Sequence, residues 1–421
     1  MSSDIYDITQ DIGDFSEIRF YGIEDMDCGE ALATILLTSQ NRSLRVFDAL
    51  KSIVGSLFFR NFSAEVKGEE NIHLYFTPSY HDRADQRKVF RDVVNCAENT
   101  RSYESEKCFR WSWKRLGKLH YVAKWMKQLR RIRGNVGFRL YCCATLFSGM
   151  VLADECTPKQ GEQKPNLCVT FCDAHPIDYF ITHWYNRIGV PTATLQHGIY
   201  GAAIPNGHSS FQVTHSTYFL AVNEQEVRKY KRCEAKGTPL VVGELKFIAN
   251  QPDPKQDRPI QKVMGVVLSN SSDEANERLL ACAQSVAKRC GMKVLFRCHP
   301  GRRASDLNAP IDPQLCEENK GELRTLVEHC DFAVADWNTT AVSDLIVMGC
   351  PIIRYYLGSS GDPYRGVGIP YFSDETSLEH IIGRYMEKPA EMKELYKEIR
   401  ERLCPEGNIR DHYVQFLKDF D

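Results

Sequence analysis

Two short stretches, KVMGVVLSN from Lys262 to Asn270 and KVLFRCHPG from Lys293 to Gly301, decide how this chain folds. The first supplies an apolar run, Val263 to Leu268, that ends in a Ser/Asn turn. A helix-period segment, Glu274 to Cys290, and Gly291 lead into the second run, Lys293 to Cys298. Together they read as one βαβ unit. Outward toward the C-terminus come a helical segment at Leu323 to His329, a strand at Phe332 to Ala335 and a helix opening at Asn338. After Gly349 and Pro351 a strand follows at Ile352 to Tyr356. Toward the N-terminus the same alternation gives strands at Leu167 to Phe171, Thr192 to Leu195, Tyr218 to Ala221 and Leu240 to Val242. Helices are read at Ile177 to Ile188 and Glu224 to Lys236. Such alternation calls for parallel sheets with helices on both faces. The polar, proline-bearing stretch Asn250 to Pro259 reads as a linker. The organisation expected is therefore two Rossmann-like halves, residues 1–249 and 250–386, and a charged helical tail, residues 387–421, placed to pack back across the first half. Before Leu167 the signal is weaker, with strands read at Ile18 to Ile23 and Ile72 to Phe76.

Length and composition agree with two α/β cores: 421 residues of which 43% are apolar. The formal net charge of −2 gives the whole molecule no sequence-independent affinity for nucleic acid. The segment from Met1 to Gly13 lacks the basic-then-apolar pattern of a secretory signal, and no later run reads as a membrane span, so a cytoplasmic location is expected. Sixteen cysteines, none in a CxxC spacing, are scattered through apolar elements and read as reduced, buried small hydrophobes. No zinc site is expected from their spacing.

In parallel sheets ligands bind beyond the carboxyl ends of the strands. The polar residues there are Ser269, Asn270 and Ser271; Arg297, His299, Pro300 and Gly301; and Asp336, Asn338, Thr339 and Thr340. The last three stand where a helix begins and read as a phosphate cradle or as a plain N-cap. Asp344, inside that helix, reads as a ribose contact or a solvated acid. His299, beside Arg297 and Arg302, suits a departing phosphate. In the first half Gln196, His197 and Gly198 end one strand, and His197 could serve as a base. Asp173, His175 and Asp178 end the strand before it; Asp173 or Asp178 could orient His197 or act as the base itself, or an Asp there could cap the following helix. Asp25-Met26-Asp27 reads as an acidic loop with a helix cap. Leu119 to Ile132 forms a basic amphipathic helix, read either as a surface helix packed on the first half or as a contact with a membrane surface or anionic acceptor.

With TLQHG at Thr194 to Gly198, FLAVNEQEVRKY then VVGELK between Phe219 and Lys246, RCHPG at Arg297 to Gly301 and DWNTTAVSDLIVMGCP at Asp336 to Pro351, the chain resembles a family of bacterial transferases. These are the GT-B enzymes of surface and capsular polysaccharide synthesis, including Kdo-type transferases and CDP-glycerol glycerophosphotransferases. The resemblance implies a GT-B fold with a central cleft, a nucleotide sugar as donor substrate and a glycan or lipid-linked acceptor; no metal or other cofactor and no nucleic acid partner are expected. It implies His197 as a base or acceptor-side catalyst; Asp173 is kept as the alternative base, with Gln196, Gly198, His175 and Asp178 read beside them on the acceptor side. His299 falls on the donor phosphate, the Ser269–Ser271 and Asn338–Thr340 loops on the nucleotide, and Asp344 at the position of the family's ribose-contacting acid, where Glu is usual. Leu195-Gln196, in place of the tryptophan common in glycerophosphotransferases, favours a sugar donor over that alternative. A sugar-nucleotide epimerase and a non-catalytic nucleotide-binding scaffold are the other readings. The inner face of the membrane is the alternative location.

Overall fold

The computed structural model describes residues 19–20, 23–27, 35, 43–77, 84–131, 134–158, 161–196, 198–200, 211, 214–249, 259–269, 273–299, 302–308, 310–337, 339–356 and 362–421. A short antiparallel ribbon pairs β1 (Arg19–Phe20) with β2 (Ile23–Asp27), so Asp25-Met26-Asp27 lies in a strand and not in a loop. The first main sheet contains β3 (Arg60–Lys67), β4 (Ile72–Phe76), β5 (Thr100–Lys107), β6 (Leu167–Thr170), β7 (Thr192–Leu195), β8 (Tyr218–Ala221) and β9 (Thr238–Val241), in the order β3-β5-β4-β6-β7-β8-β9. The second contains β10 (Val263–Val267), β11 (Lys293–Arg297), β12 (Cys316–Glu318), β13 (Phe332–Asp336), β14 (Ile352–Tyr355) and β15 (Tyr371–Phe372), in the order β12-β11-β10-β13-β14-β15. Helices α1 (Val46–Phe58), α2 (Ala84–Val94), α3 (Trp113–Gly117), α4 (Leu119–Gln128), α5 (Val136–Cys156), α6 (Pro176–Arg187), α7 (Glu224–Arg232) and α8 (Lys246–Ala249) accompany the first sheet. The second is accompanied by α9 (Asp273–Arg289), α10 (Leu323–His329), α11 (Ala341–Val347) and α12 (Glu375–Glu387), and α13 (Pro389–Leu403) and α14 (Ile409–Lys418) close the chain.

The βαβ units appear where the apolar runs placed them, because strands buried on both faces write near-continuous apolar sequence. Every residue of β6, β7, β13 and β14 is buried. The expectation of purely parallel pairing fails at one edge. Strand β3 runs antiparallel to β5, from Arg60 opposite Lys107 to Lys67 opposite Thr100. Its last five residues are exposed, and its sequence, RNFSAEVK, carries no apolar run to announce it.

Helix α5 corrects a second expectation. By length and composition it is apolar enough to cross a membrane, yet most of it is buried within the protein. Phe138, Cys142, Cys143, Leu146 and Phe147 are fully buried in a core shared with Ile53 and Leu57 of α1, Trp125 of α4 and Phe180 of α6. The apolar face of the basic helix is buried as well, through Val122 and Trp125, while Lys124, Lys127 and Arg130 stay exposed; Ile132 lies outside the described residues.

The other face of the first sheet and the second sheet share one continuous apolar core. Helices α13 and α14 seal it. Tyr396 donates to the carbonyl of Ile352 in the second sheet. On the first, Tyr413 donates to Gly243 O (3.1 Å), Asn223 to Leu403 O (3.1 Å), and the rings of Phe416 and Phe420 meet Tyr218. The side chain of Asp421 accepts from the amides of Glu98 (3.0 Å) and Asn99 (2.8 Å).

Candidate active site

Ser269, Arg297 and Asp336 stand at the carboxyl ends of the adjacent strands β10, β11 and β13. Ser269 Oγ donates to Asp336 Oδ2 (3.0 Å), with both residues buried. Asn276 of α9 fastens the Ser269 backbone from both sides, accepting its N–H (2.9 Å) and donating to its C=O (3.0 Å). The Trp337 N–H donates to Asp336 Oδ1 (2.9 Å). This end of the sheet is therefore braced before any ligand arrives. Arg297 is half-buried and donates through Nε to Gly321 O (3.1 Å); burial lowers its pKa against the pull of Glu322. His299 is half-buried, and its carbonyl accepts the Arg302 N–H (2.8 Å). The Arg302 side chain is paired with Asp273 at the start of α9, so it does not add a free cation beside His299. Asn270, Ser271, Pro300, Gly301 and Asn338 lie outside the described residues, as do His197 and residues 250–258 of the linker.

Helix α11 begins at Ala341, preceded by Thr340, whose side chain makes no capping bond. The side chain that meets the helix start is that of Thr339, whose Oγ1 accepts the Ala341 N–H (3.4 Å). Thr340 instead meets the opposite half of the molecule. Gly198 has φ +78°, open to glycine at little cost, and a Cβ there would lie 2.8 Å from Thr340 Cγ2. The loop after β7 and the loop after β13 therefore touch across the cleft.

Asp344 departs from its expected role. Lys246 Nζ lies 3.0 Å from Asp344 Oδ1 and 2.9 Å from Glu244 Oε1, which makes a largely buried acid-base-acid cluster joining the two halves. Burial raises the Glu244 pKa to about 7, with Lys246 opposing and Asp344 adding to the shift. Burial lowers the Lys246 pKa, but the two carboxylates outweigh it and the net shift is upward. Asp344 is thus a partner of Lys246 and not the solvated acid of the second reading. Glu244 and Lys246 were in plain view within VVGELK, but nothing local showed that they meet a helix of the other half.

On the first sheet, Asp173 is fully buried and faces inward. It accepts from His215 N (2.8 Å), Ser216 N (2.8 Å) and Ser216 Oγ (2.7 Å), and its own N–H donates to Thr194 Oγ1 (2.9 Å). It caps no helix; His175 occupies the N-cap of α6 without a side-chain cap bond. Burial drives the His175 pKa down to about 4 and keeps its imidazole neutral. Gln196 is also internal. It donates to Gly198 O (2.9 Å) and to Glu226, and accepts the Val222 N–H (3.1 Å). Glu226, which sequence reading passed over, accepts from Tyr200 N (3.1 Å) and pairs with Lys229 (2.6 Å). These residues hold the Gly198 turn from below.

Asp178, in the first turn of α6, accepts from Thr77 Oγ1 (2.6 Å), Phe171 N (3.2 Å) and Cys172 N (3.3 Å). Burial lifts its pKa from 3.8 to about 7 despite those donors, and Asp173 adds to the rise. A raised folded-state value stabilises the protein fully below the unfolded pKa, and that contribution is lost as pH rises through the folded one. Asp178→Asn, which cannot ionise, should therefore lose less thermal stability than the parent between pH 5 and pH 8, by roughly 3–5 °C. Parallel melting curves at the two pH values check this; equal slopes would remove the argument.

Among the described residues no group of three or more His, Cys, Asp or Glu side chains is arranged to hold a metal ion, and all the cysteines are free thiols. The sequence matches no protein-family model and no curated protein. Solved structures do match. The glycosyltransferase of kitacinnamycin has a TM-score of 0.53 at 11% identity, over 84% of this chain and 99% of that one. A UDP-N-acetylglucosamine 2-epimerase gives 0.51 at 11%, over 84% and 96%. The Methanocaldococcus jannaschii UDP-GlcNAc 2-epimerase in complex with UDP-GlcNAc and UDP gives 0.50 at 13%, over 83% and 98%. At such identities the likeness concerns architecture, and together with the two sheets it shows that this chain has the GT-B fold.

Proposed function

We propose that the chain moves a sugar from a CMP- or UDP-linked donor to a glycan or lipid-linked acceptor in bacterial surface polysaccharide synthesis. The observation that carries this reading is the meeting of two loop sets across one cleft: the Gly198 turn of the first sheet against Thr340, beside the braced Ser269–Asp336 pair and the loop of His299. The donor's nucleotide and phosphates belong to the second sheet, at Ser269–Ser271, Arg297–Gly301 and Asn338–Thr340, and the acceptor to the first. His197 takes the proton of the acceptor hydroxyl, whose oxygen bonds to the anomeric carbon as the bond from that carbon to the phosphate oxygen breaks. His299 meets the charge left on the nucleotide phosphate, or protonates it, so no metal is needed in this scheme. Asp173 is withdrawn as a base because its carboxylate is spent inside the first half. Asp344 is withdrawn from the ribose because Lys246 holds it. The narrower kinship with Kdo-type transferases, against the glycerophosphotransferases, rests on the sequence elements alone.

The same architecture serves UDP-GlcNAc 2-epimerases over an equal share of the chain, so epimerisation is the second reading. Melting curves with CMP, CDP, UDP and GDP separate donor classes. A nucleotide present at about 100 times its Kd contributes about 2.7 kcal/mol and should raise the Tm by roughly 3 °C. Stabilisation by none of them would overturn nucleotide binding. If UDP stabilises, turnover of UDP-GlcNAc without acceptor would move the assignment to the epimerase.

A further inference from the structure

Helix α1 carries apolar residues on two sides. Ala49, Ile53 and Leu57 are buried against α5, whereas Val46, Phe47, Leu50 and Val54 form a stripe facing solvent, with Phe47 73% exposed. At the end of the helix the stripe runs into an exposed aromatic cluster. Phe58 stacks on Phe109 and Trp111 at centroid distances of 6.1 and 5.4 Å, Phe59 meets Phe109 edge-on, and Trp113 meets Trp111 edge-on. Trp113 is 75% exposed, Phe109 66% and Trp111 51%. A soluble surface does not ordinarily gather so many large apolar side chains in one place without an occupant.

The patch stands on a rigid base. Arg115 of α3, almost fully buried, pairs with Glu155 and donates to the carbonyls of Ser56 (2.9 Å) and Arg60 (3.0 Å) and to Asn61 Oδ1 (2.9 Å). That one side chain ties the end of α1 and the start of β3 to α3. The charges around the patch are one-sided. Arg45, Lys51, Lys107, Arg110 and Lys114 are exposed within its segments against only Asp48 and Glu106, in a chain whose net charge is −2. Tryptophan and phenylalanine set among lysine and arginine match the boundary of a bilayer, where rings enter the headgroup level and cations meet anionic lipid. A second copy seated through the same face would set this positive charge against its own.

We infer that the α1 stripe and the Phe59–Phe109–Trp111–Trp113 cluster dock this protein on an anionic membrane surface. The topology gives docking a use. Arg60 pairs with Lys107, and β5 is parallel to β4, so the cluster lies at the carboxyl end of the first sheet. Thr194 and Thr170, whose loops form the first half of the cleft, lie toward the same end. A bilayer seated there sits beside the cleft mouth. Docking is independent of the proposed transfer reaction; only the further step, that it presents a membrane-held acceptor, rests on that reading.

The test uses the full chain with phosphatidylcholine vesicles, with and without phosphatidylglycerol, read by cosedimentation and tryptophan fluorescence, and needs no catalytic activity. Cosedimentation with the anionic vesicles, a blue shift, and binding weakened by added salt are expected. Phe47→Glu/Leu50→Glu and, separately, Trp111→Ser/Trp113→Ser should each weaken binding about tenfold or more at unchanged Tm. Lys51→Glu/Arg110→Glu should remove most of the salt-sensitive part. Unchanged binding in all three would overturn the inference. So would absence of binding by the parent, or sedimentation as a dimer that Phe47→Glu splits, which would make this face a contact between copies.

Discussion

His299→Ala should lower the turnover of sugar transfer by about 10²–10³-fold, while its melting temperature stays within roughly 2 °C of the parent. The two expectations belong together. His299 stands beyond the end of β11, and Ser269, Asn276 and Asp336 brace this edge of the sheet by bonds among themselves. Removing the imidazole leaves those three bonds in place and, in the proposed reaction, takes away the group that meets charge on the leaving phosphate. Such charge develops mainly in the transition state, so kcat should fall far more than KM rises. His299→Gln, which can donate a hydrogen bond but cannot become a cation at neutral pH, should recover part of the loss. A variant with full turnover would remove His299 from the reaction, and loss of both turnover and Tm would make it a structural residue.

The largest loss of stability is expected at Lys246. Replacing it by methionine leaves Glu244 and Asp344 facing each other across the two halves with no cation between them, at side-chain exposures of only 4% and 19%. Breaking a buried ion cluster by removing one member costs about 3–5 kcal/mol, because the remaining charge is left unpaired in a poorly solvated place. The Tm of Lys246→Met should fall accordingly, more steeply above pH 7 than below it, since Glu244 is ionised above its raised pKa of about 7. Adding Glu244→Gln and Asp344→Asn should recover most of the loss, because hydrogen-bonding amides then replace the two carboxylates. An unchanged Tm in the single variant would show that the cluster contributes nothing to holding the halves together.

What could be read from sequence, and what could not, follows from the range over which each feature is determined. The runs at Val263–Val267, Phe332–Asp336 and Ile352–Tyr355 announced their strands because burial on both faces leaves little choice of residue. The edge strand β3 has no such constraint, and β12 and β15 are three and two residues long. The site divides in the same way. Position at a strand end was legible for Asp173 and Gln196, and position on the helix after β13 for Asp344, but the direction each side chain takes was not. Their partners, Ser216, Glu226 and Lys246, come from other elements, and only the folded chain brings them together. Helix α5 shows the reverse case: its composition alone fits a membrane as well as a core, and α1, α4 and α6 decide the matter by covering it.

The closing helices impose an order on synthesis. Phe416 and Phe420 against Tyr218, Ile409 and Pro405 against Gly243, and Asp421 against residues 98–99 all complete the half of the molecule that is translated first. The second sheet draws its strands from one unbroken span between Val263 and Phe372, and α12 and α13, which follow it directly, complete its packing. The first leaves the ribosome early yet keeps an open seam along Tyr218 and Gly243 until the final turn of α14 emerges. The half made first is thus finished last, and the interval between is when this chain most needs shelter from its neighbours.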